Sequence, residues 1–258
     1  MIGDLSISVI IPCFNSENTI QDCVNSVLTQ SVKVNELIIV DDGSTDNTRT
    51  IIKAILKSIP SEIKAISLEQ QNQGPSAARN NGIKISSSEY IAFLDSDDKW
   101  FPENISTIKK FIIENNGYDI ISTKYQSAPI AFTGDVTFKR LLSKNYFLTP
   151  CVVVKRKTFQ THGGFDEGMR FSEDYFLWLT IMSNGRGYLL PYTGACNIEN
   201  KKPFGQKGLS SNLREMHLGV LKTFQQLFHA QKIGYLEYFL ITLVEKVKYL
   251  RRLLLSVK

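Results

Sequence analysis

The stretch ELIIVDDGSTDNT, residues 36–48, decides the fold. Leu37, Ile38, Ile39 and Val40 form a continuous apolar run of strand length, the pattern of a strand covered on both faces. The Asp-Gly pair at 42 and 43 turns the chain. Ser44 or Thr45 then stands where it would cap a helix whose inner face carries Ile51, Ile52, Ile55 and Leu56. A buried strand feeding an amphipathic helix is half of a βαβ unit.

The alternation extends in both directions. Upstream, ISVIIPCF (residues 7–14) is a β-branched run ended by Pro12, which has no ladder donor. Ile20, Val24, Val27 and Leu28 then recur at the spacing of one helix face. Downstream, IKAISLEQ (63–70) is a third strand and NQGPSAARNNG (72–82) a turn and short helix with Pro75 in its first turn. YIAFLDSDD (90–98) is the fourth strand. From Phe101 the pattern loosens. NISTIKKFIIENN (104–116) is helical, PCVVVKRKTF (150–159) is a strand and turn, residues 161–185 are a loop leading to a helix, and helical stretches follow Asn212. The expected architecture is one compact α/β domain, with a mostly parallel sheet flanked by helices, and a helical C-terminal tail.

Composition narrows the function classes. The 258 residues are 43% hydrophobic and 21% charged, and the formal net charge of +5 is too mild to argue for nucleic acid as a partner. Cys13, Cys23, Cys151 and Cys196 form no CxxC pair and no zinc spacing, so they are expected to be reduced structural thiols. His162, His217 and His229 also lack metal spacing. The opening MIGDLSISVIIPCF has no basic segment before its apolar run, which suits a first strand and a cytoplasmic location. No window approaches the ~18 apolar residues of a membrane span.

In open α/β sheets, ligands gather at the carboxyl ends of the strands. Pro12 to Asn15, Asp41 with Asp42, and Asp95 to Asp98 all lie there. No GxGxxG or GxxxxGK[ST] follows either of the first two strands, which argues against a dinucleotide fold or a P-loop. Three carboxylates within four residues repel one another, and a hard divalent cation relieves that repulsion. In extended chain Asp95 and Asp97 share a side and Asp98 points away. Arg79, on the short helix, is within reach of Asp98 or Asp95. In SEDYFLWL (172–179), Ser172 suits an N-cap, and Glu173 and Asp174 diverge by about 100°, so one can act as a base while the other bonds nearby. Trp100, beside the acidic cluster, is either a packing residue or a lid. EKVKYLRRLLLSVK (245–258) is a basic amphipathic helix that either docks on the domain or lies on an anionic membrane surface.

Six pieces in one order, SVIIPCFNSENTIQDCVNSVLTQ, ELIIVDDGSTDNT, NQGPSAARNNGI, YIAFLDSDDKW, GGFDE and SEDYFLWL, resemble the inverting glycosyltransferases of family 2 and their GT-A fold. The resemblance implies a GT-A domain over residues 1–215, divided into a nucleotide-sugar half (1–100) and an acceptor half (101–215), with a basic tail at 216–258. It implies that Pro12, Phe14, Asn15, Gly74, Arg79 and Ser96 border the nucleotide sugar and that Asp42 accepts from its base, typically uracil. Asp95 and Asp97 would be the DxD pair, with Asp97 binding Mn²⁺ or Mg²⁺ directly and Asp95 facing the ribose or the ion's shell. With those two acids turned to the donor, the reading of the cluster pairs Asp98 with Arg79. Asp174 would be the base that deprotonates the acceptor hydroxyl, with Glu173, Asp98 and Trp100 around the acceptor. The implied partners are a nucleotide-sugar donor and a saccharide or lipid-linked acceptor of O-antigen or capsule assembly, with peripheral membrane contact through the tail. The family's basic segment over the diphosphate falls in NIENKKPFGQKGLSSN, where Lys201, Lys202, Lys207 and Ser210 are all candidates.

Two other enzyme or binding classes share fragments of this pattern. A haloacid-dehalogenase phosphatase also runs an apolar strand into Asp-x-Asp, but wants Thr or Val where this chain has Lys99. A phospho-receiver needs its acidic pocket at the first strand. A catalytically silent scaffold with a transferase fold has the same sequence signature as an active one.

Overall fold

The computed structural model describes residues 5–128, 130–198 and 211–256. In chain order the elements are β1 (Ile7–Cys13), α1 (Ile20–Leu28), β2 (Glu36–Asp41), α2 (Thr48–Leu56), β3 (Lys64–Glu69), α3 (Pro75–Ile85), β4 (Tyr90–Phe93) and β5 (Asp98–Trp100). They continue as α4 (Asn104–Glu114), β6 (Ile120–Tyr125), β7 (Gly134–Val136), α5 (Phe138–Ser143), a 3-10 turn (Thr149–Cys151), β8 (Val152–Lys155) and α6 (Arg156–His162). The last are α7 (Glu173–Met182), β9 (Gly187–Asn197), α8 (Leu213–His229) and α9 (Tyr235–Ser256).

The described strands form a sheet ordered β3-β2-β1-β4-β8-β6-β9-β5, with β7 alongside β9. β1 runs parallel to β2 and β4, and β2 parallel to β3, as the alternation of strand and helix predicts. Beyond β4 the sheet is mixed. β8 is antiparallel to both β4 and β6, and β9 is parallel to β6 but antiparallel to β5 and β7.

Alternation along β1 sends side chains to two cores. Ile7, Val9 and Ile11 pack with Ile20 and Val24 of α1 and Ile105 of α4. Ile10 joins Ile38, Phe93, Phe165 and Trp178 on the opposite face. Both faces are covered, which is why the strands read as unbroken apolar runs. All four cysteines are buried and unpaired. His217 is a satisfied core residue, stacked on Tyr249 at 4.2 Å and facing Glu245.

Three local expectations are corrected. β1 passes through Pro12 to Cys13, because Pro12 has its missing donor on the β4 side and β4 pairs with β1 only as far as Ile10. α2 is not capped by Ser44 or Thr45. Asp46 accepts from the Thr48 amide at 3.0 Å, while the Ser44 hydroxyl turns back to Asp41. The turn expected after VVVK is the helix α6.

The end of the sheet away from the strand carboxyl termini is tied by one carboxylate. Glu36 accepts from the Ser8 hydroxyl of β1, the Lys64 ammonium of β3 at 2.7 Å, and the amide and hydroxyl of Ser87 before β4. Burial alone would raise its pKa, but these bonds, Lys64 foremost, hold it at about 2.

α3 crosses β1 closely at Gly82, where an added Cβ would stand 2.6 Å from Cγ2 of the fully buried Ile10. Alanine gains about 1 kcal/mol in helix propensity over glycine, but overpacking a core of this kind costs about 1–3 kcal/mol. Gly82→Ala should therefore be net destabilising in equilibrium urea unfolding; a stabilised variant would contradict the close crossing.

Candidate active site

The carboxyl ends of β1, β2 and β4, the start of α3 and the start of α7 open onto one cavity of about 2280 Å³. Its wall includes Pro12, Phe14 and Asn15, then Asp42, then Gly74 and Arg79, then Asp95, Ser96, Asp97 and Asp98, and finally Glu173 and Asp174. The sequence-derived site residues thus converge, with one exception. Trp100 is 4% exposed and donates its indole N–H to the Pro150 carbonyl at 2.7 Å, so it is a packing residue and neither a lid nor an acceptor contact.

The β1 and β2 loops brace each other. Asn15 adopts a left-handed backbone (φ 49°), and its side-chain oxygen accepts from the Thr45 amide at 2.9 Å. Phe14 is left 48% exposed on the cavity wall, an unusual position for a large apolar side chain. Of the two adjacent aspartates, Asp41 is structural: it takes the Ser44 amide and the Arg49 guanidinium. Asp42 accepts from the Gln73 and Gly74 amides and the Gln70 side chain, each at 2.8 Å, and so fixes the loop before α3. Gly74 itself has φ 90°, a conformation that suits glycine.

The acidic stretch after β4 is a turn rather than extended chain, closed by the Asp98 amide on the Asp95 carbonyl at 2.9 Å. Ser96 meets the Ser16 hydroxyl at 2.8 Å and so ties this turn to the β1 loop. Arg79, 5% exposed, donates to Asp95 at 2.7 Å and to Glu173 at 3.1 Å. The expected Arg79–Asp98 pair is therefore corrected. Asp98 enters β5 and is buried against the Tyr125 hydroxyl at 2.6 Å and Asn197 at 3.2 Å. Burial, then the charges of Asp95 and Asp97, push its pKa well above the usual range, whereas a pairing with Arg79 would have lowered it. Asn197 also reaches the Asp97 carboxylate at 3.3 Å. Among the described residues, no group of three His, Cys, Asp or Glu side chains is arranged to hold a metal.

α7 begins at Ser172, whose backbone is left-handed (φ 60°) and whose hydroxyl makes no capping bond, unlike the expected N-cap. Strain in a non-glycine residue directly before two cavity carboxylates is a mark of functional sites. Glu173 turns to Arg79, while Asp174 accepts from Asn145 at 3.4 Å, Thr149 at 3.3 Å and the Tyr175 amide at 2.7 Å. Burial raises both carboxyls. Glu173 reaches about 7 by burial and the Asp174 charge, against the lowering pull of Arg79. Asn145, Thr149, Tyr125 and Asn197 were not legible in the sequence. Asn197, for example, lies 100 residues from Asp97, and no spacing signal links them. The candidates Lys201, Lys202, Lys207 and Ser210 lie outside the described residues.

Comparison with known proteins agrees with this geometry. The family model described as glycosyl transferase family 2 matches residues 8–173. A UDP-Glc:alpha-D-GlcNAc-diphosphoundecaprenol beta-1,3-glucosyltransferase from Escherichia coli is 32% identical over 217 residues, 82% of each chain. A putative teichuronic acid biosynthesis glycosyltransferase from Bacillus subtilis is 34% identical over 69% of this chain and 73% of its own. An uncharacterized glycosyltransferase from Rickettsia felis is 36% identical over 71% of this chain; the chain spans only 31% of that relative's length, and a similar or smaller share of two other Rickettsia relatives. Among solved structures, S. aureus TarS residues 1–349 in complex with UDP-GlcNAc superposes with a TM-score of 0.71 at 21% identity, over 92% of this chain and 70% of that one. A Pyrobaculum calidifontis mannosyltransferase in complex with GDP-Man and Mn²⁺ gives 0.70 at 17% identity, over 94% and 69%. With its family model matched across more than half of its length and its fold shared with solved glycosyltransferases, the chain belongs to glycosyl transferase family 2.

Proposed function

We propose that this chain is a metal-dependent, inverting glycosyltransferase. It moves a sugar from a nucleoside diphosphate sugar, of the uridine type, to a hydroxyl of a saccharide or lipid-linked acceptor in bacterial surface-polysaccharide assembly of the O-antigen or capsule kind. The observation that carries this reading is a two-carboxylate turn, Asp95 to Asp97, sharing a cavity with a carboxylate at a helix start, Asp174, with buried Arg79 between them. The UDP-Glc donor of the E. coli relative and the UDP-GlcNAc bound to TarS support a uridine donor.

On the donor side, exposed Phe14 offers a flat apolar face to the base, and Asp42 retains a lone-pair site beyond the three bonds it accepts. Asp97 and Asp95 are an all-oxygen donor set, which fits a hard cation whose shell is completed by phosphate oxygens and water. Those two residues would hold Mn²⁺ or Mg²⁺, which when bound would supply charge neutralisation for the leaving diphosphate. Arg79 holds Asp95 in place and supplies positive charge nearby; its own pKa is raised because its carboxylate partners outweigh burial. On the acceptor side, the hydroxyl attacks the anomeric carbon from the face opposite the diphosphate, and its proton passes to Asp174. The bond from that carbon to the diphosphate oxygen breaks, its electron pair leaves with the diphosphate, and the configuration inverts. Asn145, Thr149 and the Tyr175 amide fix the orientation of the Asp174 carboxyl.

Exposed α9 residues support peripheral membrane contact. Leu236, Phe239, Leu243, Val247, Leu250 and Leu254 are each at least 49% exposed and recur at helical spacing, flanked by the exposed cations Lys246 and Arg251. Among the described residues, no helix is long and apolar enough to cross a membrane.

Asp174→Asn should reduce transfer from a UDP-sugar by at least 10³-fold while leaving UDP affinity in Mn²⁺ within a fewfold of wild type. Turnover at the wild-type rate would remove Asp174 from the base role. Chelation by EDTA should stop transfer, and added Mn²⁺ should restore it. Because burial raises the Asp174 carboxyl and its ionised form is the base, kcat/KM should fall with acid along a limb centred above the ordinary aspartate value of about 3.9. Leu243→Glu with Val247→Glu should abolish co-sedimentation with anionic vesicles without changing the melting temperature; unchanged sedimentation would rule out this face as the contact.

A further inference from the structure

The cavity has two electrostatic halves. The half around the strand ends and α7 carries Asp42, Asp95, Asp97, Asp98, Glu167, Glu173 and Asp174 against the two cations Arg79 and Arg170. Where α9 meets α5, the same cavity is lined by Lys139, Lys144, Lys248, Arg251 and Arg252 against Glu237 and Glu245. Glu245 is spent inward, on Arg252 and His217. Lys248 donates one bond, to the Ser143 carbonyl at the end of α5, and an ammonium has three donors. The lining sets five cations against two carboxylates, so positive charge outnumbers negative there. Such a cluster is matched by a multiply charged anion.

Its distance from the chemistry is set by the backbone. Ser143, which takes the Lys248 bond, is followed by Lys144 in extended conformation and then by Asn145, which bonds Asp174. Two residues of extended chain span at most about 7 Å, the scale of one sugar ring. We propose that this basic wall binds the phosphate or diphosphate on the anomeric oxygen of the acceptor sugar, so that one sugar ring bridges from Lys144 and Lys248 to Asp174. The proposal rests on the transferase reading above and deepens it: the acceptor is a glycosyl diphosphate.

The anion's other substituent is a lipid. Leu240 and Val244 of α9 line the cavity beside Lys248 and Arg251 and are 49% and 50% exposed. They lead onto the outward stripe of Leu243, Val247 and Leu250 on the same helix. A soluble sugar phosphate has no use for an apolar path beginning at its phosphate, whereas an isoprenoid chain does.

Calorimetric titration of the whole chain in metal-free buffer tests this, with farnesyl diphosphate, inorganic pyrophosphate and glucose 1-phosphate as probes. Farnesyl diphosphate should bind at least tenfold more tightly than either soluble anion. Lys144→Glu and Lys248→Met, made separately so that one misfolded variant does not decide the matter, should each weaken it at least tenfold. Asp97→Ala should bind it as wild type does, and both lysine variants should keep wild-type affinity for UDP with Mn²⁺. Unchanged farnesyl diphosphate affinity in both lysine variants, or an equal loss in Asp97→Ala, overturns the site. Equal affinity for pyrophosphate or glucose 1-phosphate overturns the lipid assignment. Failure of the transferase reading looks different, because UDP with Mn²⁺ would then bind none of the proteins while the farnesyl diphosphate result stands.

Discussion

The structure turns on the guanidinium of Arg79. A cation 5% exposed is tolerable only with partners, and here the partners come from opposite sides of the cavity: Asp95 from the turn after β4, and Glu173 from the start of α7. Removing one member of such a buried set costs about 3–5 kcal/mol, because the other charges are then uncompensated. The arrangement therefore couples the position of the turn after β4 to that of the helix that presents Asp174. The Phe165 ring, 5.2 Å from the guanidinium carbon, closes the remaining side. A lysine could supply the charge but not the planar fork that reaches two carboxylates at once.

Around that pair, each functional carboxylate is held by a different kind of constraint. Asp42 is fixed by backbone amides of the loop before α3, Asp98 by the phenol of β6 and the amide side chain of β9, and Asp174 by the segment joining α5 to β8. Repulsion within the cluster is resolved unequally. Asp95 has an arginine, whereas Asp98 retreats from water and is held toward its protonated form. One acid is thereby withdrawn from the cluster.

The first half of the fold was legible because parallel strands covered on both faces leave long apolar runs, as in LIIV and YIAF, and because turns such as Asp42-Gly43 punctuate them. β6, β7 and β9 were not, since β9 includes Pro191, Tyr192 and Thr193 among its apolar residues and β7 has only three residues. The site residues came from the ends of legible strands and from the resemblance to family 2, and among the described ones all but Trp100 line the cavity. Arg79 pairs with Asp95 rather than Asp98 because the chain there is a tight turn, where the side alternation of extended chain does not hold. Asn145, Thr149 and Asn197 act only across the tertiary fold, at separations where sequence spacing carries no information.

The Glu36 cluster has a consequence for how such a protein can change. It binds β1, β2, β3 and the approach to β4 at the end of the sheet opposite the cavity. The cohesion of the four parallel strands is thus anchored at the rim away from the cavity, and the loops at the cavity end are relieved of that duty. Substitutions in those loops can reshape the cavity while leaving the scaffold's register alone. Mechanical and chemical roles are thereby assigned to opposite rims of one sheet, and variation in the second is insulated from the first.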